Sequence, residues 1–461
     1  MPPLDLTGRL AVLVMPLMLL HAPSAAEGSI AVTDLCFLAR SALESDWRWL
    51  GTRWLHVALL WWGWLVICSI PIPPLGPGGA HSFVEALAVV RFLIFAAALE
   101  HWVLRDPGAR RWLFGIVAAA AAWIAANCLL QLATGRNLFG APRGAGGAVL
   151  TGPFRKERAG PPLSRIIFPV VVPAAAALLQ RRRVAGTLAA YALLLGAVGM
   201  MVLIGQRMPL TLTGFGLLVV GLLLPRLRPV VAAAALAGVG FVAAIAVLSP
   251  QTYARVVLQF VTLLRHFSTS PYGEIYARSW HIATARPWFG RGFDGFRTGC
   301  LLPQYFGPTF GGGVPDGGGA AFCTTHPHNF YVQALAEGGF PGLALFVAAA
   351  LAWLAPLSSG LWRDPAPLRV GLFASVLIQL WPIASTNDFV DTTMGGWFFL
   401  LLGWALAEAR WRRAILPATT DPTTITGLRG RRLAARRLDW FSDIRVETAP
   451  PAGGDAWTRH R

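Results

Sequence analysis

The sequence predicts an all-α, polytopic membrane protein of about 12 transmembrane helices with one large loop on the outer side. Three observations carry that expectation. Of 461 residues, 55% are hydrophobic and only 13% charged, against about 25% charged in an ordinary soluble domain. Apolar runs near the length that crosses a bilayer as a helix recur along the chain. Basic residues gather in alternate connections, as they do in cytoplasmic loops. A β-barrel would show short segments of alternating hydrophobicity instead. The net charge of +17 is carried almost wholly by arginine. Membrane topology accounts for most of it, and with no nucleic-acid-binding motif in the chain, no nucleic-acid partner is expected.

Residues 1–26 read either as a signal peptide or as a first span. Arg9 precedes an apolar run, and small residues follow at Ala25 and Ala26. Further spans are expected at 28–43, 52–71, 83–104, 111–133, 163–181, 185–205, 208–224 and 229–248. After a long gap come 339–357, 367–386 and 392–409. The chain thus divides into an N-terminal transmembrane bundle of about nine spans (1–248) and a large periplasmic loop (249–338). A C-terminal bundle (339–409) and a basic, partly disordered cytoplasmic tail (410–461) follow. The tail's arginines suit anionic membrane lipid. No internal repeat is visible.

With the N-terminus inside, the inner connections hold Arg40, Arg48 and Arg53, then Arg105, Arg110 and Arg111, then Arg181, Arg182 and Arg183. Arg226, Arg228, Arg363 and Arg369 continue the pattern. The outer connection at 387–391 carries only Asp388 and Asp391. Two outer loops break the rule. Residues 134–162 hold Arg136, Arg143, Arg155, Lys156 and Arg158, and residues 249–338 hold six further arginines. Basic residues kept outside against the bias point to an anionic partner there.

The densest set of reactive side chains lies in HPHNFYVQALAEGGFPGL, residues 326–343. His326 and His328 are two apart, so they share a face only in an extended segment. A helical two-histidine metal site needs i, i+4 spacing, which is absent, so no metal is expected. From Asn329 the segment reads as helical, with Asn329, Gln333 and Glu337 on one stripe. Gly338, Gly339 and Pro341 then break it. His328 therefore starts a short amphipathic helix at the membrane boundary, where a neutral imidazole accepts a proton or simply bonds a loop. Arg207, between two spans, is costly so close to hydrocarbon and needs an anionic partner. Arg278, and Arg165 at the start of a span, join it on the outer side. Guanidinium groups grip phosphate oxygens through paired hydrogen bonds. FGGGVPDGGGA (310–320) is not a phosphate-binding loop, since no G-K-[ST] follows. It reads as a lid, an acceptor-binding element or a plain excursion. Cys36, Cys68 and Cys128 lie in apolar runs.

Three stretches together resemble the bacterial O-antigen ligases and the related Wzy-type polymerases. These are the HN-x9-G-x-x-G pattern of His328, Asn329, Gly339 and Gly342; R-S-W followed by RPWFGRGFDGF (278–296); and LTGPFRKERAGPPLSRIIFP (150–169). The likeness covers most of residues 110–410. It implies a GT-C-like, inverting glycosyltransferase that needs no metal or other cofactor. Such an enzyme moves a glycan from an undecaprenyl-diphosphate carrier to a glycan or lipid A-core acceptor at the periplasmic face of the bacterial inner membrane. His328 takes the role of base, with Arg207, Arg278 and Arg165 on the diphosphate and Asn329, Gly339, Gly342 and His326 in support. One departure is MPLT after Arg207, in place of the family's small residues. The alternative is a transporter or flippase of a lipid-linked or anionic solute, which would spread polar groups along mid-membrane helices. The same topology places Cys300 and Cys323 in an oxidising compartment and predicts a disulfide.

Overall fold

The computed structural model describes residues 2–310, 323–384 and 387–415. The glycine-rich stretch after Phe310 and the tail beyond residue 415 lie outside the described residues. The described chain is helical, with two isolated antiparallel bridges, Arg136 to Pro142 and Gly144 to Val149. Ten helices come first: α1 (Pro2–His21), α2 (Pro23–Glu44), α3 (Arg53–Ser69), α4 (Gly79–Ala88), α5 (Val90–His101), α6 (Pro107–Thr134), α7 (Gly160–Gln180), α8 (Val184–Ile204), α9 (Arg207–Leu223) and α10 (Arg228–Leu248). The large loop holds α11 (Pro250–Tyr253), α12 (Gln259–Arg265), α13 (Pro271–Ala285) and α14 (Gly295–Gly299). Three helices close the fold: α15 (Phe330–Ser358), α16 (Pro367–Gln379) and α17 (Thr392–Ile415).

Among the described residues, seven helices are long and apolar enough to cross a membrane. The protein is a polytopic helical membrane protein. Helix α15 packs on α3, and α16 packs on α7 and α9. Aromatic side chains fill the centre. Trp61 meets Phe346 edge-on at 5.4 Å, and Phe389 meets Phe398 at 5.1 Å. At one end of the bundle, basic residues of the predicted inner connections find acids: Arg9 with Asp106 at 3.0 Å, Arg412 with Asp364 at 2.7 Å, and the fully buried Arg110 with Glu408 at 3.3 Å.

One boundary differs from the sequence reading. The span expected at 367–386 stops at Gln379. Pro382 drives the residue before it out of the helical region. The apolar residues Leu380, Trp381, Ile383 and Ala384 therefore lie outside the helix, with Leu380 and Ala384 buried and Trp381 and Ile383 exposed.

Helix α15 is broken where expected. Gly339 has φ +66° and ψ −162°, a region essentially closed to other residues. Pro341 has no N–H to offer the carbonyl of Glu337. The freed carbonyls bond elsewhere: Ala336 accepts from Arg291 N at 3.0 Å and Glu337 from Gly292 N at 2.8 Å. Phe340 N turns to the Pro287 carbonyl at 2.9 Å. The RPWFGRGFDGF strip is thus laid along the break. Its Gly290 and Gly292 have φ +57° and +75°, and a Cβ on Gly290 would sit 2.6 Å from the Glu337 backbone. A small outer core forms beside it from Ile275, Ile282, Phe296, Cys300, Tyr305 and Ala336. A disulfide joins Cys300 to Cys323.

Gly339→Ala is expected to cost about 2 kcal/mol or more, lowering folded yield and thermal midpoint in detergent. Gly28→Ala, in open space on α2, should leave both unchanged or improved. Equal behaviour of the two variants would refute the role given to the break.

Candidate active site

The site starts at the N-terminus of α15. Asn329 has extended backbone, and its side-chain oxygen accepts from Tyr331 N at 2.9 Å and Val332 N at 3.2 Å. This is an N-cap, which satisfies donors that the first turn leaves open. The Asn329 amide donates to the Pro382 carbonyl at 2.7 Å, and Tyr331 Oη donates to the Leu380 carbonyl at 2.7 Å. One turn on, Gln333 donates to Asp388 at 2.7 Å and Glu337 at 3.0 Å, and accepts from Phe389 N at 3.2 Å. The polar stripe therefore binds residues 380–382 and 388–389 rather than facing solvent. Burial, with Asp391 and Glu85 nearby, holds the Asp388 carboxyl above its ordinary range.

His328 precedes the cap with φ +56°. Its Nδ1 lies 3.1 Å from His326 Nε2, and Tyr272 meets its ring edge-on at 5.7 Å. Burial, with the neighbouring His328, pulls His326 down to about 4, so it is neutral at ordinary pH.

Two adjoining cavities meet here. The larger, about 1210 Å³, is lined by His326 and by charges of both signs. Lys156, Arg158, Arg165 and Arg297 line it together with Glu85, Asp294, Asp388 and Asp391. Burial, then Asp388 and Glu85, push Asp294 up to about 6. The smaller cavity, about 240 Å³, is lined by His328, Tyr272 and Gln379, with Met208, Leu212 and Ile378 as its apolar side. Arg165 lines both. It is buried on α7, and Ser375 Oγ donates to its carbonyl at 2.6 Å.

Among the described residues, Lys156, Arg158 and Arg165 make no ion pair within 4.0 Å. Arg207 opens α9, and its Nη1 is buried with no hydrogen-bond partner among the described residues. Gln206 ties it to the basic 150–160 segment, donating to the Glu157 carbonyl at 2.6 Å and accepting from Gly160 N at 2.9 Å. Neither Arg207 nor Arg278 lines the two cavities. The Arg278 guanidinium donates to the Cys300 carbonyl and lies 4.0 Å over the Phe306 ring. Burial brings it down to about 10, which still leaves it charged. Gly339 shapes the break in α15, and neither it nor Gly342 lines the two cavities. One set of potential metal ligands exists among the described residues: His81, Glu85 and Asp294, with atoms within 4.8 Å of one another. Asp294 also meets Arg297 at 3.5 Å.

Asp388, Asn387 and Tyr272 were not singled out in the sequence. The signal for Asp388 was present, since it and Asp391 are the only charges in their short connection.

Residues 190–347 match the O-antigen ligase family. The match bears out the resemblance read from the sequence and spans about a third of the chain. It runs from α8 into α15, taking in Arg207, Arg278, both bonded cysteines and His326 to Gly342, while Arg165 lies outside it. No curated protein matches the chain. With its apolar helices, the ligase segment marks a membrane enzyme of O-antigen or related polysaccharide assembly.

Asn329→Asp keeps the cap and loses the donation to Pro382, whereas Asn329→Ala loses both. Thermal unfolding in detergent is expected to place the alanine variant about 1 kcal/mol below the aspartate variant. Coincident curves would mean that the cap contributes nothing.

Proposed function

We propose that this protein is a GT-C-like, inverting glycosyltransferase of about 12 spans. In this reading it transfers a glycan from an undecaprenyl-diphosphate carrier to a glycan or lipid A-core hydroxyl at the periplasmic face of the inner membrane. The observation that carries the reading is the rim shared by the two cavities. A histidine able to take a proton and an arginine without a counter-ion line one small cavity with an apolar side.

The acceptor hydroxyl attacks the anomeric carbon of the donor sugar while its proton passes to His328. The bond from that carbon to the diphosphate oxygen breaks, and its electron pair leaves with the lipid diphosphate. Arg165 and Arg207 offset the charge that develops there, and fixed charges in a dry site do this without reorganisation. The apolar side of the smaller cavity suits the first isoprene units. The larger cavity exceeds the usual small-molecule range of about 300–1,000 Å³. Its carboxylates, Asp388 and Asp391 among them, are acceptors for sugar hydroxyls. Arg278 supports the site indirectly, by holding the outer core together. One direct displacement inverts the anomeric centre.

His328→Ala is expected to lower glycan transfer in isolated membranes by at least about 100-fold while donor binding persists. Arg165→Ala and Arg207→Ala should raise the donor KM instead. Chelation with EDTA should leave transfer unchanged, and a loss restored by a divalent ion would move attention to His81, Glu85 and Asp294. Normal transfer by the His328 variant would end this reading.

A further inference from the structure

We propose that His326 is a positioning residue for His328, accepting the His328 Nδ1–H through its own Nε2 and so fixing the tautomer that keeps the lone pair on His328 Nε2. This rests on the reading of His328 as the base. The two nitrogens are 3.1 Å apart, and the rings meet edge-on with centroids 4.4 Å apart. On its far side, His326 Nδ1 lies 2.9 Å from Thr325 Oγ1. The left-handed backbone of His328 turns the chain between the loop and the capped helix, where these rings meet. His326 faces the larger cavity and His328 the smaller.

Protons run along this chain in one of two directions. If Thr325 donates to His326 Nδ1, then His326 Nε2–H donates to His328 Nδ1, and the His328 proton sits on Nε2, which then has no lone pair to offer. In the other direction, His328 Nδ1–H donates to His326 Nε2, and His326 Nδ1–H donates to Thr325 Oγ1. Only this second arrangement lets His328 Nε2 take the acceptor's proton. The imidazolium that results keeps its Nδ1–H on a neutral acceptor. Burial holds His326 neutral throughout, so it does not compete for the proton. The second nitrogen of a catalytic histidine is commonly set by such a bond.

The test compares His326→Leu, His326→Gln and Thr325→Val with His328→Ala in membranes containing the lipid-linked donor. Glutamine carries an oxygen near the place of Nε2 that only accepts. His326→Leu should lower kcat on the order of 100-fold with the donor KM within about twofold. His326→Gln should stay within about tenfold of wild type, and Thr325→Val should fall between them. Equal rates for the leucine and glutamine variants, whether both normal or both lost, would overturn the proposal. Elution of folded protein from a sizing column separates misfolding from lost chemistry. Full transfer by His326→Leu beside an inactive His328→Ala would sink the positioning role alone. Activity in His328→Ala would sink the base reading and this inference together.

Discussion

The end of this protein that carries His328 depends on a helix that cannot hydrogen-bond itself. At Gly339 and Pro341, α15 gives up two internal bonds, and the carbonyls of Ala336 and Glu337 need donors. Backbone groups in apolar surroundings do not stay open. The amides of Arg291 and Gly292 supply the bonds; glycine at 290 lets the strip lie against α15, and glycine at 292 lets it lie against the end of α3. The strip brings α13 and the small outer core with it. A local backbone requirement thus selects a tertiary partner, and that partner carries Phe293 and Asp294 into the lining of the larger cavity.

Charge is paired unevenly across the molecule. Arg9, Arg40 and Arg412 sit within 4.0 Å of acids, as does the buried Arg110, although its Nε and Nη2 find no hydrogen-bond partner among the described residues. Around the larger cavity Arg91 pairs with Glu27 and Arg297 with Asp294. The exposed Lys156 and Arg158 and the buried Arg165 have no acid that close among the described residues. A buried cation without a partner is costly. Arg165, and Arg207 with its buried Nη1 unbonded, are therefore the positions where an anion would gain most.

Much of this was legible from the chain because the governing rules are local. Each expected span overlaps a helix, since span length and apolar content set both. The break at Gly338 to Pro341 was readable because glycine and proline act on their own backbone. What escaped was non-local or conformational. Leu380 to Ala384 read as membrane because they are apolar, yet one proline converts them into a loop. Gln333 binds Asp388, 55 positions away, and no pattern in either segment announces it. The contact of His326 with His328 needs a left-handed residue at 328, which histidine adopts uncommonly. Arg278 was grouped with the outer arginines by sidedness, but sidedness does not say whether a side chain faces a cavity or its own scaffold.

The disulfide between Cys300 and Cys323 closes just five residues before His328. It anchors the segment that leads to His328 to the small core around Cys300. The register of His328 and its cap is thereby held twice over, by a covalent bond on one side and by the hydrogen bond of Asn329 to the Pro382 carbonyl on the other. Opening the cross-link would leave the polar contacts of the cap as the tether that remains on that segment.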